Sequence, residues 1–410
     1  MPHRPNYLWS TFRISLSLLL LIGGPLPAQQ HGYPVNSLPE IERTSHEREN
    51  DDSWKVLVVY IVDVLSNVDG GVRRHGETLG NLNLVLDYDA PWNGDFHAYL
   101  LGNHGGSFSQ HTGDFQTASH IEAPPSLHLF EAYYLQRWLD DRLSLLVGLY
   151  AVDSEFDVRD SASLFVHSSP GTGGDLGQLG LRGPAIFPVG ALGGRLRYRQ
   201  DGWYAQLAAV EGTPGDLDEP FGTNFRLDKN EGLFLIGEVG KEWEDEYGSL
   251  GKVALGSWGF TAPFATHRYP ETLSASNRSA YLSLEKVFLR EEDDPAQGLA
   301  GYLRLGAAEG QVNRIETFVG AGLVYTGAFS GREHDRLGLA LNSGFAGEDF
   351  LASDNFDTHE TALELAYAFA VSENFSLQPD LQYIINPGFD PELKPSLVLG
   401  LRAVFQLEDG

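Results

Sequence analysis

The stretch from Leu127 to Gly171 reads LHLFEAYYLQRWLDDRLSLLVGLYAVDSEFDVRDSASLFVHSSPG. Leu127–Trp138 and Arg142–Val152 alternate apolar and polar side chains, the period of a β-strand, and Asp140-Asp141 between them is a tight polar turn. From Asp153 to Ser169 the alternation stops, and charges and hydroxyls mix with Phe156, Leu164 and Phe165. The apolar residues of such a segment need protein to pack on, and its charges need water or partners. The lumen of a wide barrel offers both. The stretch therefore predicts an all-β protein, a transmembrane antiparallel β-barrel of sixteen strands with Asp153–Ser169 folded inward to constrict its pore.

Working outward, the same alternation recurs along the chain. The runs are Trp54–Val64, Thr78–Tyr88, Phe96–Asn103, Leu127–Trp138, Arg142–Val152, Ala191–Arg199, Gly202–Glu211, Glu231–Trp243, Ser249–Phe260, Ala280–Arg290, Gly298–Ala308, Glu316–Phe329, Arg336–Phe345, His359–Val371, Asn374–Ile385 and Ser396–Leu407. Connections alternate in length. Asp140-Asp141, Gln200-Asp201, Glu244–Gly248, Glu291–Gln297 and Ser372-Glu373 are short, whereas those after Asn103, Val152, Glu211, Phe260 and Phe345 are long. Short turns at one end and long loops at the other are the layout of an outer-membrane barrel. A solenoid would show a fixed period, and none is present.

Each run has two faces. Arg195, Arg197 and Arg199 oppose Leu196 and Tyr198, and Asn81, Asn83 and Asp87 oppose Leu82, Leu84 and Leu86. In the last run Leu399, Leu401 and Phe405 oppose Arg402 and Gln406. A soluble sandwich would alternate as well. Strand length, aromatic residues near strand ends (Trp54, Tyr60, Trp138, Tyr150, Trp203, Trp243 and Tyr383) and an export signal favour the membrane. The export signal occupies residues 1–28: Arg4 and Arg13, an apolar Ile14–Ile22, and a small residue at Ala28. Residues 29–52, with Pro34, Pro39 and many charges, read as an N-terminal periplasmic segment, and 53–410 as the barrel.

Composition narrows the chemistry. The chain has 410 residues, no cysteine and a formal net charge of -28, which excludes thiol and disulfide chemistry and argues against a nucleic-acid partner. The acidity reads as solvated loops. No nucleophile elbow or histidine-pair metal motif is present, so no enzyme and no metal centre is expected. The arginines carry more information. An arginine facing hydrocarbon at mid-bilayer costs roughly 2–4 kcal/mol, so Arg195, Arg197, Arg304 and Arg402 should face the lumen. There, opposite carboxylates such as Glu131, Asp87 and Asp380, they would set up a transverse field suited to a hydroxyl-rich solute. The alternative is ion pairs that simply hold the wall. In the inward segment, Phe156 and Phe165 could stack on sugar rings, and Glu155, Asp157 and Arg159 could bond the hydroxyls. Glu131, Glu155, Phe156, Asp157, Arg159, Phe165, Arg195, Arg197, Arg304 and Arg402 are thus the candidate solute-contacting residues.

Four stretches together resemble the OprB family of carbohydrate-selective porins. They are Phe130–Gly171, FPVGALGGRLRYRQDGWYAQLAAVEGTPG at Phe187–Gly215, FVGAGLVYTGAFSGREHDRLGLALNSG at Phe318–Gly344, and SLQPDLQYIINPGFDPELKPSLVLGLRAVF at Ser376–Phe405. They follow one another in the family's order. His167 stands where the family block usually has asparagine, and Tyr150 stands near a usual lysine. The resemblance implies a sixteen-stranded outer-membrane barrel that passes small sugars passively, without a cofactor. Its expected partners are sugars, outer-membrane lipid and the barrel-assembly machinery, with a homo-oligomer left open. The competing functions at this point are a general or cation-preferring porin and, from other classes, a barrel-embedded enzyme or an extracellular glycan-binding β protein.

Overall fold

The structure is a computed structural model that describes residues 53–178, 183–215, 221–223, 232–271 and 273–409. The export signal and the segment 29–52 lie outside the described residues. Strands β1 (Ser53–Asp69), β2 (His75–Ala90), β3 (Gly94–His104), β4 (Ser126–Trp138), β5 (Leu143–Tyr150), β6 (Ala191–Gln200), β7 (Trp203–Glu211), β8 (Leu233–Asp245) and β9 (Gly248–Phe260) form the first part of the wall. A two-stranded ribbon, β10 (Phe264–Ala265) with β11 (Leu273–Ala275), lies in the connection that follows. The wall continues with β12 (Arg278–Arg290), β13 (Gly298–Ala308), β14 (Ile315–Thr326), β15 (Arg336–Ala346), β16 (His359–Ser372), β17 (Phe375–Ile385) and β18 (Ser396–Asp409). Each wall strand pairs antiparallel with its chain neighbours, and β1 pairs with β18, which closes a barrel of sixteen strands. Closure leaves no edge whose backbone groups would face lipid unpaired.

Every alternating run of the sequence is a wall strand, with shifted ends. Arg142–Val152 stops at Tyr150, because the Ala151 N–H turns away to the Glu131 carboxylate. Glu316–Phe329 stops at Thr326, where the Gly327 N–H bonds the Asp335 carbonyl in a turn. The first strand runs beyond Val64 to Asp69. Between β6 and β7 the turn centres on Asp201-Gly202, with φ of 51° and 73°. Two positive φ angles in a two-residue loop match the right-handed twist of the flanking strands, and glycine adopts the second without strain. The connections read as long, 105–125, 151–190, 212–232, 261–277 and 347–358, are at one end and those read as short, 139–142, 201–202, 246–247, 291–297 and 373–374, at the other, although 327–335 at the second end is longer than 70–74 and 309–314 at the first.

Side chains sort as the period-2 reading requires. Leu196, Leu207, Leu255, Leu339 and Leu399 point outward and are exposed, whereas Arg195, Ala208, Ala254, Ala340 and Val398 point inward and are buried. Trp54, Trp138, Trp203, Trp243 and Tyr383 are exposed on the outer face near strand ends, as an aromatic girdle would be. Tyr150 is a correction: it is fully buried inside, donating to the Glu155 carboxylate at 2.5 Å. The apolar core also lies inside, in separate clusters where loop residues pack on the inner wall.

Candidate pore constriction

The inward segment begins at a bulge. In the β3–β4 pair, Tyr99 faces Glu131 but Leu100 faces Leu129, leaving Phe130 as an extra residue. A bulge lets two consecutive side chains reach one side. Phe130 and Glu131 are both buried inside, and Glu131 Oε1 accepts the Ala151 N–H at 2.9 Å, where the chain leaves β5 and enters the lumen.

From there a series of wall glutamates holds the segment by its backbone. Glu238 of β8 accepts the Asp157 N–H at 3.0 Å and the hydroxyls of Tyr204 and Tyr281 at 2.8 and 2.6 Å. Glu285 of β12 accepts the N–H groups of Asp160 and Ser161 at 3.1 and 2.5 Å. Glu364 of β16 accepts the Val166 N–H at 2.5 Å and the His167 N–H at 3.3 Å. An irregular loop enclosed by a barrel has no ladder to satisfy its N–H groups, and charged acceptors supply the strongest substitute.

The arginines face inward; the partners of Arg195 and Arg304 are carboxylates of the inward segment and its continuation, and that of Arg402 is a carboxylate of the wall. Arg195 reaches Glu155 with two nitrogens, Nε at 2.8 Å and Nη2, and bonds Ser144 Oγ at 2.6 Å. Arg197 lies 3.7 Å from Glu155. Arg304 of β13 bonds Asp157 at 3.0 Å and pairs with Asp175, which lies beyond the boundary read at Ser169. Arg159, within the segment, pairs with Asp157 and donates to the carbonyls of Pro170 and Gly171 at 3.0 and 2.8 Å. Arg402 pairs with Asp63. The opposing carboxylates of the sequence reading have other partners: Asp87 meets His97 at 2.7 Å, and Asp380 meets Gln382 at 2.8 Å. Phe156 and Phe165 are each 1% exposed, packed on the wall in two different apolar clusters. In this structure their rings anchor the segment and do not border the lumen.

The sequence reading missed a second inward segment, residues 105–125. Glu360 of β16 accepts the N–H groups of Phe115 and Gln116 at 2.8 and 2.9 Å. Ser119 donates to Asp63 at 2.7 Å, and His120 Nε2 lies 2.9 Å from Arg402 Nη1. The two segments are joined to each other: the His120 N–H donates to the Val166 carbonyl at 2.9 Å, and Ser169 Oγ donates to Gln116 at 2.9 Å. The stretch GGSFSQHTGDFQTASHIEAPPS (105–126) mixes hydroxyls, amides and histidines with isolated phenylalanines, much as Asp153–Ser169 does, and that composition was the available signal.

Burial sets the charge of groups in these segments. It pushes His167 down to about 3, and with the Arg402 guanidinium nearby it pushes His120 down to about 3. Burial pushes Asp153 up to about 7, against the Phe187 N–H bond that favours its ionised form. The polar side chains that are inward by strand parity and partly exposed include Asp87, Arg199, Glu242 and Lys252. Arg199 bonds Glu242 at 2.6 Å, and Lys252 lies 3.7 Å from Glu242. The result is a closed wall around two polar, mutually pinned segments, with mixed charge on the remaining lining.

Residues 90–407 match the profile of the carbohydrate-selective porin, OprB family. The chain belongs to that family. Porin B of Pseudomonas aeruginosa is 22% identical over 397 residues, covering 84% of this chain and 85% of that protein. The high-pH structure of Pseudomonas putida OprB superposes with a TM-score of 0.75 at 19% identity, covering 86% of this chain and 94% of that one. Its low-pH structure gives 0.56 at 15% identity, covering 86% and 92%. The outer membrane channel DcaP of Acinetobacter baumannii gives 0.53 at 11% identity, covering 87% and 97%. The expectation of an outer-membrane sugar porin is thereby met. As an OprB-family member the chain is a porin of the outer membrane that passes carbohydrates, and it is not an enzyme.

Proposed function

We propose that small sugars cross through the water left between the two inward segments and the barrel wall, and that they are sorted there by paired charge. The observation that carries this reading is the fork between Arg195 and Glu155, which joins wall to segment at the constriction. A narrow lumen that sorts sugars needs a constriction of fixed shape, and an arginine–carboxylate pair fixes it without a net charge that would concentrate ions. Glu131, Asp157, Arg159, Arg304 and Arg402 set the shape of the constriction, with Glu155 and Arg197 nearest the passage. Phe156 and Phe165 act by holding the segment. Arg199, Glu242 and Lys252 would meet solute toward the short-turn end, which in outer-membrane barrels is the periplasmic one.

One partner assignment belongs to the same proposal: the barrel-assembly machinery inserts the exported chain after residues 1–28 are removed. Reconstitution into a planar bilayer tests the central claim. Conductance steps reduced by glucose or a maltodextrin support it. Conductance that sugars leave unchanged and that prefers cations would replace it with a general porin.

A further inference from the structure

His75 and Glu77 lie two residues apart at the start of β2, so their side chains leave the same face. His111 comes to them from the second inward segment. Glu77 Oε2 is 3.3 Å from His111 Nε2 and 3.7 Å from His75 Nε2, and the three ligand atoms lie within 4.8 Å of one another. Ligands at about 2.0–2.1 Å from a tetrahedral zinc ion are roughly 3.3 Å apart, so two edges of such a site are nearly formed. His111 is held in place without a metal. Its carbonyl accepts the N–H groups of Val72 and Arg73, both at 3.0 Å, and Asn67 Nδ2 at 3.2 Å. The segment also approaches the carboxylate closely, since a methyl group on Gly106 would lie 2.3 Å from Glu77 Oε1.

We infer that His75, Glu77 and His111 form a binding site for a divalent transition-metal ion such as Zn2+, which ties the inward segment 105–125 to the rim of β2. Two imidazoles and a single carboxylate favour such an ion over Ca2+ or Mg2+, which take oxygen ligands. His75 and Glu77 are accessible, which leaves a fourth position for water. One local change is required. Arg73 Nε donates to His111 Nδ1 at 2.8 Å, so the proton of the neutral ring sits on Nε2, facing Glu77. Coordination through Nε2 moves that proton to Nδ1, and the exposed Arg73 side chain gives up its bond and turns to solvent. Arg73 therefore competes with the metal. The same segment carries Gln116, Ser119 and His120 into the constriction, so metal occupancy restrains the part of the loop that shapes the pore.

The test uses the full-length protein in detergent micelles, titrated with ZnCl2 and separately with CaCl2, with calorimetry and thermal unfolding as readouts. The wild type should bind one more Zn2+ per chain than His75→Gln or Glu77→Gln, and CaCl2 should show no such difference. Arg73→Ala should bind Zn2+ more tightly than the wild type. Zn2+ should slow amide exchange across 105–125 in the wild type and not in His75→Gln. Identical zinc stoichiometry and affinity in wild type, His75→Gln and Glu77→Gln would overturn the site, because other histidines would then account for the binding. Weaker zinc binding in Arg73→Ala would show that the cluster is a hydrogen-bonded network with Arg73 as a member.

Discussion

Arg402 and Asp63 face each other across the seam where the last strand meets the first. They are register partners in the β1–β18 pair, joined by two parallel bonds of 2.7 Å, Nε to Oδ1 and Nη2 to Oδ2. Both are buried, and Ser119 and His120 of the second inward segment complete their shell. The pair that closes the barrel therefore also seats a loop.

Removing one member leaves a buried charge unpaired. Asp63→Asn should destabilise the folded barrel by about 3–5 kcal/mol, the usual cost of breaking such a pair. Asp63→Asn combined with Arg402→Gln should recover part of that loss. Thermal unfolding of the four proteins in one detergent gives the coupling, and additive losses would show that the two side chains act independently.

Glu155→Gln should free the start of the inward segment from Arg195. Single-channel conductance should rise, block by glucose should weaken, and the thermal midpoint should fall as well, because Arg195 is left buried without its carboxylate. A loss of folding with no gain in conductance would assign the fork to wall stability alone.

Glu364→Ala removes the acceptor of the Val166 and His167 N–H groups. Each buried donor left unpaired costs about 1–3 kcal/mol, and the cost falls on the loop before the wall. Limited proteolysis should cut the variant between 160 and 178 at concentrations of protease that spare the wild type. Equal resistance would mean that other contacts suffice.

Selectivity should be sensitive at Arg199 and less so at Arg195. Arg195 is neutralised locally by Glu155, whereas Arg199 is partly exposed beside Glu242. Arg199→Glu should shift the reversal potential in a salt gradient toward cations. Arg195→Gln should change conductance more than selectivity.

Acid should loosen the constriction through His167, whose burial holds it at about 3. The unfolded group titrates near 6.5, so the buried neutral ring stabilises the loop above that pH and loses its contribution as pH falls from about 6.5 toward 3. Asp153, raised to about 7, has the opposite sign: its burial costs nothing in acid and begins to cost as pH rises from about 4 to 7. His167→Asn should flatten the acid limb of amide exchange in 160–170, with Glu364, which accepts the residue 167 N–H, kept in place. An unchanged acid limb would assign the sensitivity to His120 or to carboxylates.

The sixteen strands were legible because a barrel strand carries its whole instruction locally. Alternate residues meet lipid and lumen, so each run announces its two faces, and turn chemistry such as Asp201-Gly202 marks the ends. Leu196 outside and Arg195 inside follow from period 2 alone. The inward placement of Asp153–Ser169 was also legible, from mixed polarity with no period. Its partners were not. Val166 meets Glu364 and Asp157 meets Arg304, pairs separated by 198 and 147 residues, and no local pattern specifies which wall carboxylate a loop N–H will reach. The same distance hid the second inward segment, since a long polar connection reads as solvated until a wall residue such as Glu360 is seen to hold it. Sequence by itself thus determined the wall, its faces and its family. Only tertiary structure decided that Glu238, Glu285, Glu360 and Glu364 of the wall, with Arg195 and Arg304, hold two loops, because barrel closure brings distant strands around one lumen and leaves buried backbone groups that must find a partner there.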